Sequence, residues 1–303
     1  MTTLPTARAK APATTPAPAT GLGLAPRAWL IWSLAAVTVA LSTTNPIYRT
    51  LVALAALNVL LTWLPPGRRV RPLATAVALA AVFAALINVL AGHTGADVIF
   101  RLPSDWPLVG GPLTVESLAY GGALGLGLVA ALLAVAPLSL VLEPHDVVDA
   151  MPASLERTGI AVATSLNLVG GLGRTFTAVR DAQRMRGWRP RGIRSWNEVL
   201  VPVVLTAIED SVLLAEAMEA RGFGAGRRTS YARLGWGWWE GAVVAAALGS
   251  AVLFIVIRLL GAPVDWYPYP TLAMPPINPA LVAGCLVLAL PAFAPRRVPA
   301  ETA

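Results

Sequence analysis

The sequence predicts an all-α integral membrane protein of about six transmembrane helices, joined to a cytosolic block of long amphipathic helices. Three observations carry this. Of 303 residues, 56% are hydrophobic and only 13% charged, and the mean hydropathy is +0.66. A soluble domain could not hide that much apolar surface, so lipid is the solvent. Six stretches approach the roughly 20 apolar residues that a helix needs to cross the hydrocarbon. Between the fourth and fifth lies a polar block with twelve arginines, from Arg157 to Arg233.

Residues 1–26 are rich in Ala, Pro and Thr and nearly free of large apolar side chains, which predicts a disordered cytosolic tail. Arg8 and Lys10 precede an apolar run as in a signal peptide, but prolines fill the region and no small-residue cleavage site follows Thr44, so a retained first span is expected. The spans fall at about 28–44, 47–64, 72–91 and 118–142, forming a membrane domain over 27–142. Two more, at about 240–260 and 279–294, occupy 240–294 ahead of a cytosolic tail over 295–303.

Arg68, Arg69 and Arg71 follow the second span and Arg296 and Arg297 follow the last, whereas the loop over 92–117 has Arg101 against Asp97, Asp105 and Glu116. The positive-inside rule then puts both termini in the cytosol of a plasma-membrane protein. Trp29, Trp32, Trp63, Trp236, Trp238 and Trp239 lie at span ends and are expected to form interfacial belts. Gly121, Gly122, Gly125 and Gly127 fall inside the fourth span. Gly121 and Gly125, one turn apart, suggest close helix packing rather than a nucleotide loop.

The block over 143–239 is expected to be a cytosolic coupling domain. Val162, Leu166, Val169, Leu172, Phe176 and Val179 mark one face of a helix over about 160–186. Val201, Leu205, Ile208, Val212, Ala215 and Met218 mark one face of a second, over about 197–221. Glu209, Asp210, Glu216 and Glu219 would each cost on the order of 3 kcal/mol at mid-bilayer, so this helix should lie on or below the membrane. A shorter helix over 144–157 is expected, with Pro144 in its first turn and Asp146 and Asp149 near its positive end. Gly170, Gly171 and Gly173 should bend the first long helix or admit a neighbour closely.

Several function classes are disfavoured. The net charge of +7 lies largely at span edges, where it orients the chain in a lipid bilayer, so no nucleic-acid partner is expected. Cys285 is the single cysteine, and His93 and His145 are the two histidines, far apart, so neither a metal site nor a cofactor is expected. The only lysine is Lys10, so no P-loop can form, and no nucleophile stands with a base at membrane depth; the chain is not read as an enzyme. A secondary transporter of a small solute is the alternative. Such proteins place ionisable groups on the substrate path, and spans one to four offer chiefly Asn58 and Asn88, with Arg49 near an edge.

Two segments of the polar block end alike: Ala182-Gln183-Arg184-Met185-Arg186-Gly187-Trp188 and Ala217-Met218-Glu219-Ala220-Arg221-Gly222-Phe223. Glycine takes the left-handed conformation that ends a helix, and arginine suits the negative end of its dipole. One such ending would be ordinary capping. Here it recurs with an Ala four residues before each Arg, an aromatic after each Gly and basic residues beyond, which points to acidic grooves on another protein.

These endings, with their spacing and the preceding Glu143-Pro144-His145-Asp146-Val147-Val148 segment, resemble the transmembrane T component of energy-coupling factor (ECF) importers of vitamins and metals, the family that includes the CbiQ-like cobalt transport proteins. The resemblance covers about 40–260. It implies that Met185, Arg186, Gly187 and Ala220, Arg221, Gly222 insert into two ABC ATPase subunits, and that the membrane helices hold a substrate-binding S component. Met185 stands where the family has alanine, which sets the first ending apart.

Overall fold

The structure is a computed structural model that describes residues 24–92, 94–101, 110–142, 156–190, 192–222 and 236–295. The order is α1 (Pro26–Ser42), α2 (Pro46–Trp63), α3 (Arg71–Ala91), β1 (Val98–Arg101), β2 (Pro112–Thr114), α4 (Val115–Leu140), α5 (Glu156–Met185), α6 (Asn197–Ala220), α7 (Trp238–Leu259) and α8 (Pro279–Val287), with 3₁₀ turns at Ile193–Trp196 and Leu290–Phe293. The chain is an all-α membrane protein, and α2, α3, α4 and α7 are each long and apolar enough to cross a bilayer. α1, with 17 residues, is at the short limit.

Proline at the first turn starts α1, α2, α3 and α8, where its missing N–H costs nothing. Asn45 and Asn278 cap α2 and α8 by accepting from the Ile47 and Ala280 amides. α1, α2, α4, α7 and α8 share one core, in which Trp29, Trp32, Tyr48, Val39, Val52, Val59, Phe254 and Leu281 are buried. α3 packs on α4 and buries no residue fully. The predicted close approach is there: a Cβ on Gly121 would stand 2.9 Å from the Ala85 carbonyl oxygen, and one on Gly125 2.9 Å from that of Ala81.

The α3–α4 connection holds a two-stranded antiparallel sheet, β1 against β2, which was not expected. Strands of four and three residues are too short to show a period. Glu116, in the first turn of α4, ties the connection down: its Oε1 accepts from the Ala96 and Asp97 amides at 3.0 and 3.1 Å.

Three expectations are corrected. The span over 279–294 is not a single crossing helix, because α8 has nine residues, or roughly 14 Å, and gives way to a 3₁₀ turn containing Pro291. The segment nevertheless follows α2 along its length. Asn278 donates its amide to the Tyr48 hydroxyl at 2.7 Å at one end, and the Trp63 indole donates to the Pro291 carbonyl at 2.8 Å at the other. Second, Trp29, Trp32 and Trp63 are not an interfacial belt; they are buried and meet edge to face, Trp29 lying 6.0 Å from Trp32 and 5.8 Å from Trp63. The Trp32 indole spends its N–H on the Leu288 carbonyl. Trp236 and Trp238 are exposed, as a belt would be. Third, a Cβ on Gly170, Gly171 or Gly173 would meet nothing, so among the described residues no helix comes close to α5 at these glycines.

Cys285 is free and buried, its Sγ facing the Tyr48 carbonyl. The helix predicted over 144–157 falls almost wholly outside the described residues, as do His93, His145 and nearly all of both predicted tails.

Candidate coupling site

α5 and α6 form an antiparallel hairpin. Gln183 Nε2 donates to the Glu198 carbonyl at 3.2 Å near the turn, and farther along Leu168, Gly171, Leu172 and Thr175 face Ala207, Asp210 and Ser211 across a small groove. The hairpin has its own core of Trp188, Val199 and Val203, backed by Phe176 and Val179. Of the apolar stripe predicted for α5, therefore, Phe176 and Val179 pack, whereas Val169 stays 66% exposed.

The stripe predicted for α6 faces the other way from the partner helix. Val201, Leu205, Ile208 and Val212 are exposed, and the residues that meet α5 are Val199 and Val203, one turn apart on a different face. Apolar periodicity finds the widest apolar face, and in α6 that face is not the one α5 covers.

The first arginine–glycine end closes α5 with a complete Schellman motif. The Gly187 amide donates to the Arg184 carbonyl at 3.0 Å and the Trp188 amide to the Gln183 carbonyl at 2.9 Å, with Gly187 at φ +88°. The second end repeats the inner part of that pattern. Gly222, at φ +73°, donates to the Glu219 carbonyl at 2.8 Å, and Arg221 donates to Ala217 and Met218. Phe223 lies outside the described residues.

Met185, Arg186, Gly187, Ala220, Arg221 and Gly222 are all exposed, Met185 at 85%. Neither Arg186 nor Arg221 forms an ion pair among the described residues, whereas Arg180 is paired with Asp181 at 3.2 Å. The structure does not bring the two ends together. They stand at opposite ends of the 24-residue α6, roughly 35 Å apart along its axis. That is about the width of a small domain, so one small domain would not readily reach both.

Two residues matter more than the sequence suggested. Trp188 reads as a mere aromatic after a helix stop, yet it is 9% exposed, its Nε1 donates to the Ser195 carbonyl at 2.9 Å, and it meets Trp196 edge to face. The second tryptophan eight positions on was the available signal. Arg49 stands in the first turn of α2, near the span edge as expected, but it is 5% exposed, with Nη1 donating to the Ala123 carbonyl at 2.6 Å and its guanidinium filling the space a Cβ on Gly127 would need. It ties α2 to α4; nothing in local sequence announces that pairing.

Among the described residues no group of three or more His, Cys, Asp or Glu side chains could hold a metal. The family model described as CbiQ, cobalt transport protein, matches residues 22–231, over two thirds of the chain, from just before α1 through both arginine–glycine ends. No curated protein matches the chain.

Proposed function

The chain belongs to the CbiQ cobalt transport protein family and is a component of a membrane transporter, and from that premise we propose that it is the transmembrane scaffold of an ECF-type ABC importer. In this reading it hydrolyses nothing and binds no cargo alone. Two ABC ATPase subunits receive Met185-Arg186-Gly187 and Ala220-Arg221-Gly222 on the cytosolic face of the plasma membrane, with both termini on that face. An S component in the bilayer captures a vitamin or a transition metal ion.

The observation that supports this best is the pair of helix ends. They share the glycine stop and its inner hydrogen bond, each exposes an arginine with no ion pair among the described residues, and they stand far enough apart for two sockets. An arginine donates five N–H groups in a fixed fork, and an acidic groove would satisfy it. The hairpin's small core of Trp188, Val199 and Val203 lies directly beside the first end and braces it. The apolar face of α6, with Leu205, Ile208 and Val212 uncovered among the described residues, is consistent with a helix lying against the membrane or a membrane partner.

The test is reconstitution of the complex in liposomes with Arg186→Glu and Arg221→Glu together. ATP-driven uptake is lost if the ends are the coupling points, and uptake that persists defeats the assignment. The alternative, a secondary transporter of a small solute, requires the purified chain alone to move solute along an ion gradient, which the scaffold reading forbids.

A further inference from the structure

Met185 is the large apolar side chain that the first arginine–glycine end turns outward. It is the last residue of α5 and 85% exposed, while the next large apolar side chain, Trp188, is folded into the hairpin core. Helix geometry explains the difference. Phe176 packs toward α6, and Gln183 donates to the Glu198 carbonyl at its start. Met185 follows them by nine and two residues, which at about 3.6 residues per turn puts it roughly 180–200° round the helix. Its side of α5 faces away from α6, and Met185 is left uncovered among the described residues.

The helix does not need a methionine there. Alanine is the better helix former, and alanine is what the second end has at the matching position, Ala220, before its own arginine and glycine. Both stops have the glycine conformation and the inner hydrogen bond in common. Met185 and Ala220 are therefore presented alike and differ in what they offer, a flexible thioether against a methyl. Lipid is a poor occupant, because the residues one turn back on this side are the exposed Asp181 and Ala182, which leaves no apolar stripe to lie in hydrocarbon. A second copy is a poor one too, since it would set the exposed Arg184, Arg186 and Arg189 against themselves.

We propose that Met185 is an apolar anchor for one ATPase subunit, seated in a pocket of apolar side chains beside the acidic groove that takes Arg186. Methionine fills irregular gaps, and burying it removes apolar area from water that Ala220 does not have. The first socket differs from the second in having that pocket. The occupant's identity rests on the scaffold reading above; the anchor rests on Met185 and its place at the helix tip.

The experiment measures binding of the copurifying ABC ATPases to the full chain in mild detergent, in an Arg221→Glu background so that the first end is read alone. Met185→Ala should weaken binding by roughly tenfold. Met185→Gln keeps the length with a polar tip and should fall about as far, whereas Met185→Leu should keep most of the affinity. With Arg186→Glu in place and Arg221 intact, the first end is disengaged and Met185→Ala should add little. If Met185→Ala binds as tightly as its parent while Arg186→Glu abolishes binding, the anchor is overturned and the scaffold reading stands. A Met185→Ala effect confined to nanodiscs of anionic lipid and absent in detergent assigns the side chain to lipid and also overturns the anchor. An unsubstituted chain that binds no ATPase overturns the scaffold reading, and the anchor falls with it.

Discussion

The indole of Trp188 donates to the backbone carbonyl of Ser195 at 2.9 Å, across the turn that joins the two helices of the hairpin. Trp188 follows directly on the glycine that stops α5, and Ser195 lies in the 3₁₀ turn that leads into α6. One side chain therefore fixes the exit of the first helix to the entry of the second. Trp188→Ala removes that bond and empties the centre of a three-residue core, at a cost of about 3 kcal/mol to the hairpin. Amide hydrogen exchange should accelerate by roughly a hundredfold over α5 and α6 and stay unchanged in α1, α2 and α4. In the assembled complex, ATP hydrolysis should continue with less transport per ATP.

The two stop glycines make a cleaner backbone test. Gly187 and Gly222 hold φ of +88° and +73°, and a Cβ on either would touch nothing within 4 Å. The cost of Gly187→Ala or Gly222→Ala is then conformational alone, on the order of 1 kcal/mol each. Asparagine visits this region more readily, so Gly187→Asn should cost less than Gly187→Ala. Thermal unfolding of the detergent-solubilised chain gives the ranking.

Gly121 and Gly122 are neighbours with opposite fates. A methyl at Gly121 would sit 2.9 Å from both the Ala85 carbonyl oxygen and the Asn88 Cβ, whereas one at Gly122 meets nothing. Gly121→Ala should push α3 off α4 and destabilise the bundle by about 1–3 kcal/mol. Gly122→Ala should be neutral or stabilising by up to about 1 kcal/mol through helix propensity. Equal effects on thermal stability would contradict the packing described.

Arg49 and Gly127 should be energetically coupled. The Arg49 Cζ lies 2.7 Å from where a Gly127 Cβ would be, so Gly127→Ala in the wild-type background forces the guanidinium off the Ala123 carbonyl. With Arg49→Ala already in place the space is free and the same substitution should be mild. A double-mutant cycle on thermal stability should give a coupling of about 1–3 kcal/mol, and a coupling near zero would remove Arg49 from the α2–α4 contact.

The fold was legible wherever apolar length decided it. The first five apolar helices and both long helices of the hairpin were predicted to within a few residues, because a long apolar run or a long 3.6-residue period is a strong signal. The last segment misled because sixteen apolar residues fit a helix and also fit a nine-residue helix with a 3₁₀ turn held by indole donors from α1 and α2. Those donors are more than two hundred positions away, so local pattern holds no trace of them. The tryptophans at span ends were read from position alone, and burial reversed the reading for three. At the candidate site the helix stops, the glycine conformations and the exposure of both arginines were readable from residue type. That Trp188 seals the hairpin, and that the widest apolar face of α6 turns away from α5, depend on which faces meet, which a single helix does not specify.

In the proposed function Arg186 and Arg221 seat this chain on two ATPase subunits, and the direct measurement is ATPase affinity for the detergent-solubilised chain with each charge reversed singly and together. Hydrogen bonds to charged groups contribute about 1.5–3 kcal/mol. Arg186→Glu and Arg221→Glu should therefore each weaken binding by roughly tenfold to a hundredfold, and the double reversal should abolish it. Unchanged ATPase binding by the double variant would show that neither arginine is a docking point.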